Sequence, residues 1–249
     1  STARGLISLF QKSGCKIQDL QIDGNKATYT VRYNCGIYLS SSSYNTITGN
    51  TCTNNNDGIC LYSFSNNNTV TGNTCNNNNE TGIDIHYKSN KNTVTGNTYN
   101  NNNEAGIALY VSHGNTITGN TCNNNNYGIS LLGSSNNTIA VNTYNNNNNN
   151  GIWLRESSES NTITGNTCNN NNETGIYLMG SRKNTVTGNT CIRGTGQTSD
   201  YASNQYTIQL QGTANYNLIS SNNCMGKAVV IEGGTGNTVF NNKWDVSDD

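Results

Sequence analysis

The chain has 249 residues, of which 32% are hydrophobic and 11% charged, with no proline. Its 53 asparagines and 26 glycines are too polar for an ordinary globular core, yet a net charge of -1 and apolar residues at fixed intervals exclude a disordered polyelectrolyte. With 13 basic against 14 acidic residues there is no clustered positive charge to neutralise phosphates, so nucleic acid is not an expected partner.

No apolar run approaches the roughly 18 residues of a membrane span, and no signal peptide precedes Ser1. We expect a soluble segment of an exported protein, extracellular or at the cell surface, with the periplasm as the third setting.

Residues 1–35 read as a degenerate first coil followed by a loop, with Ile17 and Ile22 in inward slots. Gly-Ile pairs then open coils at Gly36, Gly58, Gly82, Gly106, Gly128, Gly151 and Gly175, at spacings of 22, 24, 24, 22, 23 and 24 residues. A full coil reads approximately G-I-x-L-x-x-S-x-x-N-T-I/V-T-G-N-T-C-N-N-N-N. Residues 36–191 hold the regular repeats, 192–206 an inserted loop, and 207–249 two degenerate coils. One domain over 1–249 is expected. The insertions at 26–34 and 192–206 both precede a G-I-x-L strand, so they should flank one face near its two ends, where loops on a rigid scaffold often carry function.

The apolar runs are four to six residues long, too short for helices, and they alternate with period two. One coil cannot bury its own apolar face, but coils stacked in register at about 4.8 Å share a continuous core. Parallel connections are right-handed in nearly all cases. The sequence therefore predicts an all-β, single-stranded right-handed parallel β-helix of about nine to ten coils, a rod roughly 45 Å long.

In G-I-x-L the Ile and Leu point inward and the intervening residues outward; in N-T-I-T-G-N the two Thr point outward. Asn50, Asn73, Asn97, Asn120, Asn142, Asn166 and Asn189 are expected to stack at the next corner, pairing with one another and with turn backbone. Cys52, Cys75, Cys122, Cys168, Cys191 and Cys224 share one slot with Tyr99, Tyr144 and Trp244, and read as a buried packing column. The odd total of nine cysteines leaves at least one unpaired. Neighbours in the column would form strained disulfides because parallel side chains point alike. Without a Cys-x2-Cys pair or a His in the column, no metal site is expected. Cys60 alone takes an outward slot.

Variation from coil to coil concentrates on one outward strip. Its first column runs Tyr38, Cys60, Asp84, Ala108, Ser130, Trp153, Tyr177, Gln209, and its second Ser40, Tyr62, His86, Tyr110, Leu132, Arg155, Met179, Gln211, with Lys88, His113 and Glu156 just beyond. Exposed aromatics interleaved with charges and amides suit sugar rings, which offer an apolar face and hydroxyls. The expected partner is a polysaccharide held by Tyr38, Tyr62, Tyr110, His113, Trp153, Arg155, Glu156 and Tyr177. Within the strip Asp84 and His86 alternate onto one face, between Tyr62 and Tyr110. Proton abstraction beside a sugar carboxylate would use His86 as base, a Tyr as acid and Lys88 to neutralise charge, with Asp84 protonated or orienting. Arg155, three rungs from His86, is assigned to a separate subsite. A glycosidase would instead pair Asp84 with Glu80 or Glu104. No cofactor is expected; Ca2+ is the one ion left open, without a motif to support it.

The recurring N-T-I-T-G-N-T and G-I-x-L-x-x-S over 36–191 resemble the β-helix repeats of the NosD-like carbohydrate-binding and sugar-hydrolase group. That resemblance implies a cell-surface or periplasmic setting and polysaccharide contact. Gly82 to His86 is also similar to the Tyr-Gly-Phe-Asp-Pro-His segment of mannuronan C-5 epimerases, which implies catalytic roles for Asp84 and His86, although Thr81 stands where that family has Tyr. A non-catalytic adhesin or structural surface protein is the rival reading. A third comes from Thr46 and Thr48, Thr69 and Thr71, Thr93 and Thr95, Thr116 and Thr118, Thr162 and Thr164, and Thr185 and Thr187, whose two columns, broken at Ala140, resemble the ice-binding faces of β-helical antifreeze proteins.

Overall fold

The computed structural model describes residues 5–27 and 34–244. Each coil contributes one strand to each of two sheets of ten parallel strands. The first sheet runs from Gly5–Phe10 to Val230–Ile231 and the second from Lys16–Gln18 to Thr238–Phe240. A third face starts as Gln21–Asp23 beside Thr51–Thr53 and continues as single bridges through Thr74, Thr98 and Thr121. The insertion at 192–206 holds a short 3-10 turn, Thr198–Asp200. Residues 28–33 of the earlier insertion lie outside the described residues, so the expectation that the two insertions flank one face has only the later loop to go on.

Strand pairing is in register throughout. Ile83 lies opposite Ile59 on one side and Ile107 on the other, and the series extends through Ile129, Ile152, Ile176 and Ile208. The inward Ile, Leu and Val are almost fully buried, as are the six expected cysteines with Tyr99 and Tyr144. Burial pushes the Cys75, Cys122 and Cys191 thiols well up, so these are packing groups and not nucleophiles. Trp244, expected in the same column, is 48% exposed at the last described rung.

Three asparagine ladders, not one, run through the interior. At the predicted corner Asn50 donates from N and Nδ2 to Asn73 Oδ1 at 2.9 Å each, and Asn73 repeats this to Asn97; the series ends at Asn242. A second ladder runs from Asn45 through Asn68 and Asn92 to Asn237, and a third from Asn55 through Asn78 and Asn102 to Asn171. Spare Nδ2 hydrogens reach backbone carbonyls of the preceding coil, as from Asn97 to Val70 O at 3.0 Å. Apart from Asn55 Oδ1, which opens the third ladder without a donor, these ladder amides are satisfied inside the rod, where an unpaired polar group costs about 1–3 kcal/mol.

The Gly of each Gly-Ile pair is there for close approach. A Cβ on Gly106 would meet Cys122 Cβ and lie 2.8 Å from the Gly128 carbonyl oxygen, with both neighbours fixed by the ladder. The corner after each Thr-x-Thr strand needs a left-handed residue instead; Gly119 and Gly165 supply it at φ 65° and 63°, whereas Val141 does so at φ 57° while 67% exposed. A β-branched residue there is strained by roughly 1–2 kcal/mol. We expect Gly106→Ala to cost about 3 kcal/mol through overpacking, and Val141→Gly to gain about 0.5–1 kcal/mol after Gly's own entropy cost. Shifts of the denaturant midpoint in opposite directions check this; equal shifts would contradict it.

Candidate functional site

The outer face of the first sheet carries the variable columns, and register fixes what meets what. Asp84 lies opposite Cys60 and Ala108, and His86 opposite Tyr62 and Tyr110. His86 Nδ1 is 3.3 Å from Asp84 Oδ2; in the tautomer with hydrogen on Nδ1 the imidazole donates to the carboxylate and leaves Nε2 to the cleft. The ring centroids of Tyr62 and Tyr110 lie 5.1 Å and 4.5 Å from that of His86. The expected grouping of Asp84, His86, Tyr62 and Tyr110 is therefore assembled.

Two adjoining cavities open here. The larger, about 250 Å3, is bounded by Asp57, Glu80, Thr81, Asp84, His86, Glu104 and Tyr110 at one end and by Arg155 at the other. Small side chains at Ala108 and Ser130 form part of its wall between those ends. Arg155 thus lines the same cleft as Asp84 and His86, three rungs away, about 14 Å at strand spacing. Its guanidinium lies over Trp153, 4.3 Å from the ring centroid, and Trp153 stacks parallel to Tyr177 at 6.4 Å. The Tyr177 hydroxyl donates to Gln211 Oε1. The smaller cavity, about 120 Å3, shares Asp57, Glu80, Asp84 and His86 and ends on Tyr38, Tyr62 and the Cys35–Cys60 disulfide.

Asp57 carries the most perturbed carboxyl in this region. Its side chain is almost fully buried, with Oδ1 accepting from Thr81 N at 3.0 Å and Thr81 Oγ1 at 2.8 Å, and Oδ2 accepting from Asn56 Nδ2 at 3.2 Å. Those bonds favour the anion, but burial first and the Asp84 and Glu80 charges after it outweigh them and push the carboxyl up from 3.8 to about 7. Thr81, standing where a catalytic Tyr was sought, is spent on holding Asp57.

Several expected contacts are not made. Tyr38 is 2% exposed, its ring packed against Phe10 and Tyr62, and is no open stacking platform. Lys88 follows a left-handed turn that carries it off the strip, and its Nζ lies 5.9 Å from the centre of the Phe64 ring. His113 belongs to a surface ladder: its N donates to Asn90 Oδ1 and its Nδ1 accepts from Ser135 N at 3.1 Å. Glu156 sits exposed on a left-handed turn outside both cavities.

Residues 3–152 match the family model described as periplasmic copper-binding protein (NosD), and residues 113–247 match that of the right handed beta helix region. No curated protein sequence matches the chain. Among solved structures it is similar to the Dettilon tailspike protein, at 20% identity and TM-score 0.74, covering 90% of this chain and 55% of that one. The A-module of an Azotobacter vinelandii mannuronan C-5 epimerase aligns at 16% identity and TM-score 0.77, covering 97% and 76%. An Arthrobacter chlorophenolicus DFA-IIIase aligns at 14% and 0.71, covering 84% and 56%. The chain thus spans little more than half of the tailspike and the DFA-IIIase.

The family's description names copper, and the donors here do not fit it. His86 and His113 lie in different columns, and Met179 is four rungs from His86, about 19 Å. Among the described residues, the three ligand atoms that converge within 4.8 Å are those of Cys35, Asp57 and Cys60, and the two sulfurs are joined to each other. The description as periplasmic agrees with the expected exported setting, and no described helix is long and apolar enough to cross a membrane.

Because the folded chain keeps the Asp57 proton where an unfolded one would lose it, stability falls as pH rises from about 4 through 7. Asp57→Asn, which keeps an oxygen for Thr81, should flatten that decline and be more stable than the native protein above about pH 8, by on the order of 2–4 kcal/mol. Denaturation at several pH values checks this, and an unchanged slope in the variant would contradict it. By its repeats and its match over residues 3–152, the chain belongs to the NosD family of right-handed β-helix proteins.

Proposed function

We propose that this chain binds a polysaccharide along the outer face of the first sheet and performs acid–base chemistry on it at Asp84 and His86. The observation that carries this reading is the carboxylate–imidazole pair set among aromatic rings in one cleft. Tyr62 and Tyr110 offer aromatic surface for sugar rings, with Trp153 further along the strip beneath Arg155, and His86 Nε2 can take or return a proton while Asp84 holds the opposite nitrogen. Burial, with the Asp84 and Glu80 charges behind it, keeps the Asp57 proton toward neutral pH. Glycoside hydrolysis uses a pair of carboxyl groups, and that reaction is favoured over epimerisation because Thr81 offers no phenol. The similarity in fold to a mannuronan C-5 epimerase supports a polymeric sugar as partner.

A glycan array with turnover assays tests the reading. Trp153→Ala should weaken binding by about tenfold, and His86→Ala should remove turnover while leaving binding nearly intact. Failure of the native protein to bind any glycan would remove the carbohydrate reading; binding without turnover would leave an adhesin.

One observation favours a second reading. Thr46, Thr69, Thr93, Thr116, Thr138, Thr162 and Thr185 are paired in register and half-buried or exposed on the second sheet, with Thr48, Thr71, Thr95, Thr118, Thr164 and Thr187 beside them and a break at Ala140. We propose ice as the alternative ligand of this face. Thermal hysteresis by the native protein, lost on Thr116→Tyr, would support it, and unaltered ice growth would dismiss it.

A further inference from the structure

We infer that the sugar polymer taken by this cleft carries free amines, an amino-sugar chain in place of a uronate or neutral one. The inference rests on the carbohydrate reading above and names its substrate class.

Charge is unevenly placed on an almost neutral chain. Of 14 acidic residues, Asp57, Glu80, Asp84 and Glu104 border the two adjoining cavities, while of 13 basic residues Arg155 alone does so. Arg155 sits at the far end, laid over Trp153, three rungs from His86. The groups facing Asp57 are thus the Asp84 and Glu80 carboxylates, with His86 and Glu104 in the same cleft and Arg155 remote. Like charges gathered along one cleft raise the free energy of the empty site, and the Asp84 and Glu80 charges add to burial in holding the Asp57 proton. A cationic ligand relieves that repulsion, whereas a polyuronate adds to it.

The walls suit an ammonium group. The rings of Tyr62, His86 and Tyr110 form a contiguous row beside the carboxylates, and aromatic faces attract alkylammonium cations. A bare metal ion fits less well. No three of these carboxylates and His86 bring ligand atoms within 4.8 Å of one another; the described group that meets that limit is the disulfide-tied Cys35, Asp57 and Cys60. The acids are spread instead over three successive coils, which matches charges repeated along a polymer.

The test compares oligomers of equal length made of β-1,4-linked glucosamine, of its N-acetylated form and of a uronate, by titration calorimetry at about pH 6, where the amines are charged. The glucosamine oligomer should bind at least about tenfold tighter than the acetylated one, with no detectable binding of the uronate. Glu80→Gln combined with Glu104→Gln should cut that preference to about threefold or less. Glu159→Gln, at the carboxylate that pairs with Arg182 outside the cleft, should leave it unchanged. Equal affinity for both glucosamine forms, or tighter binding of the uronate, would overturn the inference and leave the polysaccharide reading standing. Absence of binding to all three and to every other glycan would instead overturn that reading.

Discussion

Each coil donates its corner N–H and its asparagine amide to the asparagine oxygen of the next, and everything else in this rod depends on that repeated bond. Because donor and acceptor come from equivalent positions, the bond forms only when coils stack in strict register. It removes the obstacle that would stop a chain so poor in apolar residues from folding, since buried amides satisfy both one another and the corner backbone. The apolar core can then be thin, two inward columns from the first sheet, one from the second, and the cysteine column.

Strict register also explains where function can reside. Inward slots and corners admit few residue types: in the regular coils the ladder positions are Asn and the residue before the inward Ile is Gly, although Thr207 takes that slot before Ile208. The outer face of the first sheet has neither restriction, so chemistry-bearing side chains collect there as columns. Small residues at Ala108 and Ser130 leave room between the Asp84 region and Arg155, and the disulfide closes the other end at Tyr38. A rigid scaffold holds these groups without help from a mobile loop, which is the condition for perturbing a carboxyl as strongly as Asp57.

The fold was legible because period-two alternation and the Gly-Ile spacing encode register directly, and the grouping of Asp84 with His86, Tyr62 and Tyr110 followed from the same columns. The third ladder was hidden because runs such as Asn145 to Asn150 give no means of telling inward from outward amides, whereas the second lies at the Asn that opens each N-T-I/V-T stretch and has its signal in the repeat itself. Asp57 escaped notice since it precedes the glycine, outside the alternating stretch; its signal was an acid in a slot otherwise held by Cys35, Thr81 and Ala105. The disulfide runs diagonally between that slot and the outward column, so no single column shows it. Lys88, His113 and Glu156 were misplaced for one shared reason: the chain turns sharply after the strand, and alternation no longer says where a side chain points.

The central claim is that the cleft between Asp84 and Arg155 is where a sugar chain lies. A crystal structure of the protein with a bound oligosaccharide tests it most directly. The account requires sugar rings against Tyr62, Tyr110 and Trp153, with sugar oxygens or amines within hydrogen-bonding distance of Asp84 and His86. Sugar ordered on the threonine columns of the second sheet, with this cleft left empty, would contradict it.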